Sequence, residues 1–120
     1  MLARNVTRST VLAREVRTAR AFRRRLRGLM LTPALAPGAG LLIERCSGIH
    51  TCFMRFAIDA VFLDREGVVV AVVQGMRPWR FGRLYRGARR VLELPAGAAA
   101  ASGTRAGDRV SFEGEGDSPV

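Results

Sequence analysis

The fold turns on residues 58–74, Ile58-Asp-Ala-Val-Phe-Leu-Asp64-Arg-Glu-Gly67-Val-Val-Val-Ala-Val-Val-Gln74. Two apolar runs rich in β-branched residues flank Asp64-Arg65-Glu66-Gly67, a strong turn signal. The segment is predicted to form a β-hairpin, with strands over 58–63 and 68–74. Asp59 interrupts the first run. It leads straight into Ala60–Leu63, so it should enter a half-buried position and need a partner there.

Working outward, the stretch just before the hairpin is Cys46-Ser-Gly-Ile-His50-Thr-Cys52-Phe-Met54-Arg-Phe56, which holds the single histidine and both cysteines. Leu41-Leu42-Ile43 reads as a short buried strand leading into it. Near the N-terminus, Leu2, Val6 and the Val11–Val16 segment read as two short strands around the polar turn Thr7-Arg8-Ser9-Thr10. Thr18 is a plausible N-cap for a helix ending near Gly28. Phe22, Leu26, Leu29 and Met30 would give that helix a core-facing stripe. Thr32–Gly40, with Pro33 and Pro37, reads as a loop.

Downstream, Met76–Gly87 looks irregular, and Val91–Leu94 is a strand stopped by Pro95. Ala96–Ser102 can form a short helix, with Gly97 weakening its start. Arg109–Phe112 is the last strand, and residues 113–120 read as a disordered acidic tail. The predicted fold is α+β: a small, mainly antiparallel, barrel-like β-sheet with one N-terminal helix and one short C-terminal helix. It forms a single domain over 1–112.

Composition narrows the function classes. The 120 residues, 48% hydrophobic, allow one core. All twenty basic residues are arginine, and the net charge of +10 favours anionic partners without conferring specificity. The absence of lysine excludes Schiff-base chemistry. Two cysteines are too few for a disulfide scaffold. No apolar run approaches the ~20 residues of a membrane span, and none follows the first arginines as in a signal peptide. A cytoplasmic protein without a membrane span is expected.

Several motifs occur together: Arg27-Gly-Leu-Met30, Gly40-Leu-Leu-Ile43, Cys46-x-x-Ile-His-Thr51, Met54-Arg-Phe56, Ile58-Asp59 and Val61-Phe-Leu-Asp64. Pro78-Trp-Arg80, Val91-Leu-Glu-Leu-Pro-Ala-Gly97 and Gly107-Asp108 follow. In this order they resemble the uncharacterised, mostly prokaryotic family called domain of unknown function 192, over residues 2 to about 112. Ala57 stands where that family usually has proline before Ile-Asp. Cys52 stands where it more often has an aromatic or small residue. The resemblance implies a compact α+β domain and supplies no activity, ligand, cofactor or catalytic residue.

The residues themselves suggest three sites. His50, Thr51, Arg55 and Asp59 could line a small pocket for an anionic or polar ligand, with the arginine fork as donor. Against that, Asp59 could simply anchor the hairpin. Cys46, His50 and Cys52, with Met54 on the same face if residues 50–54 are extended, would form a soft-ligand set for copper or zinc. They could equally be core fillers beside a hydrogen-bonded histidine. Arg45 and Arg55 could also activate a thiol. Third, residues 14–27 and 77–90 carry repeated arginines, the second interleaved with Trp79, Phe81 and Tyr85, as single-stranded nucleic acid requires. Trp79, after Pro78, is instead expected to plug one end of the core, so nonspecific nucleic-acid association is the main expectation and a dedicated role the lesser alternative. No phosphate loop, nucleophile elbow or paired-histidine motif is present. His50 with Asp59 or Glu93 as orienter is the remaining general-base arrangement.

Overall fold

Strand β5 (Ile58–Leu63) and strand β6 (Val69–Met76) form the expected hairpin, antiparallel from Ile58 opposite Met76 to Leu63 opposite Val69. The computed structural model describes residues 1–19, 35–49, 51 and 54–114. Asp64 builds the hairpin turn, its Oδ1 accepting the Glu66 and Val68 N–H groups at 2.8 and 2.9 Å. Gly67 is obligatory there. Its φ is 85°, and a Cβ would sit 2.6 Å from the Val110 carbonyl oxygen.

Every residue of β5 is buried, because the strand has neighbours on both edges and packed chain on both faces. On its other edge lies β7 (Arg90–Pro95), antiparallel to it. Next come β4 (Ala39–Glu44) and β3 (Glu15–Ala19), giving a five-stranded order β3-β4-β7-β5-β6. The β3–β4 pair is parallel and the other three are antiparallel. A three-stranded antiparallel sheet, β2-β1-β8, comprises β2 (Thr10–Ala13), β1 (Leu2–Asn5) and β8 (Val110–Glu113).

The sheets share a core. Val61 and Leu63, Leu92 and Leu94, Val16 and Leu42 meet Ala3, Leu12, Ala13 and Val110. Each fully buried Leu or Val there contributes roughly 1.5–3 kcal/mol. The opposite face of the large sheet carries Leu41, Ile43, Ile58, Ala60, Phe62 and Val91. It is covered by Cys46, Ile49, Met54, Met76, Tyr85 and Ala88, all from outside the sheet except Met76.

Several expectations are corrected. The described strands form two sheets and no closed barrel; the sheets touch edge to edge through the isolated Val68–Arg109 bridge and backbone bonds between Met1 and Val16. Both architectures bury the same apolar positions, so apolar patterning cannot separate them. The Val11–Val16 segment splits at Arg14, where Arg14 and Glu15 both donate to the Gly38 carbonyl and send the chain from one sheet into the other. Thr18 is no helix cap: it is a buried residue of β3. The rest of the predicted N-terminal helix, with Phe22, Leu26, Leu29 and Met30, falls within residues 20–34, outside the described residues. Glu113 belongs to β8 and pairs with Arg4 at 2.8 Å; of the expected acidic tail, residues 115–120 lie outside the described residues.

The short C-terminal helix, α1 (Ala98–Ser102), is present. Gly97 starts it rather than weakening it: its φ of 98° is a left-handed cap conformation that favours glycine. Beyond α1, a polar cluster ties the N-terminal hairpin to the chain before β8. Asn5 Nδ2 donates to Thr104 Oγ1 and Asp108 Oδ2, both at 3.0 Å. Arg8 donates to both Asp108 carboxylate oxygens, at 3.0 and 3.2 Å.

The hydrogen bonds from Arg8, then Asn5, hold the Asp108 carboxyl down to about 2 from an ordinary 3.8, against some opposing desolvation. The folded-state pKa is depressed, so this contribution is complete above pH 3.8 and is lost as pH falls toward 2. The stability gap between the wild type and Asp108→Asn should therefore close across that window, as read by urea denaturation at stepped pH. A gap that stays constant would show that the carboxylate adds nothing.

Candidate functional site

The residues singled out before the hairpin meet different environments. Asp59 is fully buried. Its Oδ1 accepts the Gly75 N–H at 2.8 Å, and its Oδ2 accepts those of Gly97 and Ala99 at 3.0 and 2.9 Å. One carboxylate thus joins β5 to the end of β6 and satisfies N–H groups at the start of α1, which the helix itself cannot pair. Thr51 is equally buried. Its hydroxyl donates to the Arg77 carbonyl at 2.5 Å and accepts the Arg80 N–H at 2.8 Å. Its backbone bonds Arg80 and Trp79. Arg55 is exposed and is not among the partners of Asp59. His50 lies outside the described residues.

Of the soft-ligand set, Cys46 is half-buried, its Sγ donating to the Gly48 carbonyl at 2.8 Å. It packs against both apolar clusters on that face. Met54 is a core residue. Cys52, like His50, lies outside the described residues. Among the described residues no three His, Cys, Asp or Glu side chains gather as a metal site. Neither Thr51 nor Met54 lies in a strand, so the strand parity that would align the ligands is not present at the described positions.

Thr51 leads to a surface. The irregular chain 77–89 lies along 46–51 through backbone bonds: Thr51 to Arg80, Ile49 to Gly82, Ser47 to Tyr85 and Cys46 to Arg89. Gly48 and Gly82 make the approach possible, since a Cβ at either would fall within 3.0 Å of Leu84 or of the Ile49 carbonyl. The tracing overturns one expectation. Trp79 does not plug the core: it is 57% exposed, with a left-handed φ of 63° held between the Thr51 bonds on either side.

Where this chain meets the end of β4 and the hairpin turn, a groove of about 1090 Å³ opens. Arg45, Arg65, Arg86, Arg89 and Arg90 line it, with Glu44, Cys46, Leu84 and Tyr85. None of the five arginines forms an ion pair with a described residue. Arg45, like Trp79, adopts a positive φ, 53°. The Asp64 turn presents Arg65, and Tyr85 packs its ring on Phe62 at 4.5 Å between centroids. Five guanidinium groups against one carboxylate make a surface that attracts anions and can bind them bidentately. The arginine segment 77–90 signalled part of this groove. Arg45 and Arg65 come from elsewhere in the chain and carried no comparable signal.

Glu93 is the residue whose situation the sequence concealed. On β7 it sits between Leu41 and Ala60 of the adjacent strands. It is 3% exposed, and its Oε1 has no hydrogen-bond partner among the described residues. Burial pushes its carboxyl from 4.5 up to about 8, so at neutral pH it is largely the neutral acid.

Two sets of measurements follow. The folded chain keeps a proton on Glu93 that the unfolded chain releases above pH 4.5, so this residue's contribution is full below 4.5 and declines as pH rises to 8. Thermal melts of Glu93→Gln should show a flatter dependence than wild type between those limits; matching curves would contradict the assignment. Asp59→Asn should cost about 2–4 kcal/mol in urea denaturation, since buried N–H groups lose an ionised acceptor. Thr51→Val should cost about 1–3 kcal/mol and speed amide exchange in residues 79–80.

The chain was compared with known proteins. The model of the DUF192 family, described as "Uncharacterized ACR", matches residues 3–112. A UPF0127 protein of Thermococcus sibiricus is 34% identical over 115 residues, covering 92% of this chain and 74% of its own length. One from Pyrococcus furiosus is 35% identical over 111 residues, covering 90% and 95%. Two solved structures share the fold. A Novosphingobium aromaticivorans protein of unknown function has a TM-score of 0.79 at 21% identity, covering 92% of this chain and 82% of that one. A Sinorhizobium meliloti protein, provisionally described as a transcription regulator, has a TM-score of 0.70 at 24% identity, covering 80% and 79%. With the motifs in order along almost its whole length, this chain belongs to the uncharacterised DUF192 family.

Proposed function

We propose that the protein is a small binding domain whose ligand is an anion, held in the groove between the end of β4, the hairpin turn and residues 84–90. The observation that carries this reading is the set of five arginines around one concavity, unpaired with any described acidic residue. Like charges held close repel one another, and a phosphate- or carboxylate-bearing ligand relieves that repulsion while accepting paired hydrogen bonds. The reading keeps the anionic ligand expected from the sequence and shifts its contacts from residues 50–59 toward this groove. Buried Thr51 and Asp59 act as anchors for the surrounding chain. No helix among the described residues is long and apolar enough to cross a membrane.

Tripolyphosphate is a suitable probe. Calorimetric titration should give saturable binding that weakens with salt. The charge-reversal pair Arg86→Glu and Arg89→Glu should lower the affinity at least about thirtyfold, since hydrogen bonds to charged groups contribute roughly 1.5–3 kcal/mol each. Both side chains are exposed, so the fold should tolerate the change. Absence of saturable binding, or equal binding by the variant, would remove the proposal.

A further inference from the structure

The chain that completes the groove also carries the most exposed large apolar side chains among the described residues. Phe81 is 83% exposed, Leu84 79% and Trp79 57%. Arg77, Arg80, Arg83 and Arg86 alternate with them along the sequence. Leaving such apolar groups in water is unfavourable, and several of them along one short exposed segment mark a place of contact. The left-handed backbone at Trp79 points the same way, because a non-glycine residue holds φ of 63° only where its surroundings enforce it. Here the enforcement is visible. Thr51 fixes Arg77, Trp79 and Arg80, and the Ile49 and Ser47 carbonyls fix Gly82 and Tyr85. The rings are presented on a chain held at five points, so little conformational freedom remains to be lost on binding.

We infer that this face binds single-stranded nucleic acid, with phosphates drawn into the arginine groove and bases stacked on Trp79 and Phe81. The inference rests on the anion-binding reading of the groove and adds to it the class of ligand. Aromatic rings interleaved with guanidinium groups supply both things a single strand offers, a π-face on every base and a charge on every phosphate. The shape of the charged surface favours a strand over a lipid bilayer. Five arginines line a concavity of about 1090 Å³, which a thin polyanion can follow and a flat membrane surface would bridge. No regular helix or strand presents this chain to a major groove, so stacking and phosphate contact are the operative recognition, and little sequence preference is expected.

The test measures anisotropy of dye-labelled oligothymidylate, about 12 nucleotides long, within the site sizes of known single-strand binders, at ~150 mM salt. The wild type should bind it more tightly than it binds tripolyphosphate. Phe81→Ala and Trp79→Gly, the latter suited to the left-handed backbone, should each lose about tenfold or more in oligomer affinity. Both should keep tripolyphosphate binding, and Trp79→Tyr should restore the oligomer. Phe81 is almost fully exposed, so its truncation tests the contact without threatening the fold. If the aromatic variants bind the oligomer as the wild type does while tripolyphosphate still binds, the strand inference fails and the groove reading stands. If neither probe binds, both fail. Thymidine monophosphate displacing the oligomer at equal concentration would overturn the strand in favour of a free nucleotide. Variants that lose binding to phosphatidylglycerol vesicles but not to the oligomer would overturn it in favour of a membrane surface.

Discussion

A single carboxylate holds three parts of this fold in register. Asp59 stands on the fully buried central strand β5 and accepts N–H groups from Gly75, Gly97 and Ala99. An ionised group in such a place is costly unless its lone pairs are occupied, and an ionised acceptor makes the stronger kind of hydrogen bond. The demand runs both ways. The carboxylate requires N–H groups converging from two directions, and those N–H groups require the left-handed turns at Gly75 and Gly97, with φ of 61° and 98°. The interaction therefore fixes where β6 leaves the sheet and where α1 begins.

Thr51 repeats the device at smaller scale. Asp59 organises the edge of a sheet; Thr51 organises chain with no regular structure. Its one hydroxyl both donates to Arg77 and accepts from Arg80. It stands in for the ladder that residues 77–80 lack, and buried backbone groups need some such partner. The consequence is functional: with the backbone satisfied internally, this segment can hold Trp79 57% exposed to solvent. Burial of β5 on both faces sets the same requirement from beneath. Ala60 and Phe62 need a cover, and part of that cover is the chain that carries the arginines and exposed rings.

Much of this architecture is legible in the sequence. The Asp64–Gly67 turn, with apolar runs on both sides, specifies the hairpin by local chemistry alone. So do the strand ending at Pro95 and the N-terminal turn at 7–10. What cannot be read is anything decided between distant elements. Whether Leu92 and Ala3 meet across stacked sheets or around a barrel depends on pairing partners, and apolar patterning is the same in both. Asp59 was recognisable as needing a partner, because it interrupts an apolar run. That its partners are backbone N–H groups follows from glycine conformations 16 and 38 residues away. Trp79 was misread for a related reason. A tryptophan after proline is ordinarily buried, and only the Thr51 bonds reveal that its backbone is turned outward. Glu93 stands out in the sequence only as a possible orienter of His50; its burial is set by its neighbours on both sides, Leu41 and Ala60.

The distribution of the acids explains the character of the groove. The chain has ten acidic residues against twenty arginines, yet several of those ten are committed to internal partners or buried. Asp59 and Asp64 serve backbone N–H groups. Asp108 and Glu113 pair with Arg8 and Arg4, joining the first hairpin to the C-terminal strand. Glu93 is largely uncharged at neutral pH, with its carboxyl raised to about 8. Of the described acids, Glu44 alone lines the groove. Several carboxylates that hold the fold together are thus engaged elsewhere, and the groove is left with five arginines against Glu44. On this account the excess positive charge is more than a compositional average. Its local strength follows from how the fold uses its carboxylates: an anion entering the groove meets five arginines, of which Arg90 also lies over the Phe112 ring at 5.2 Å, and none is ion-paired with a described residue.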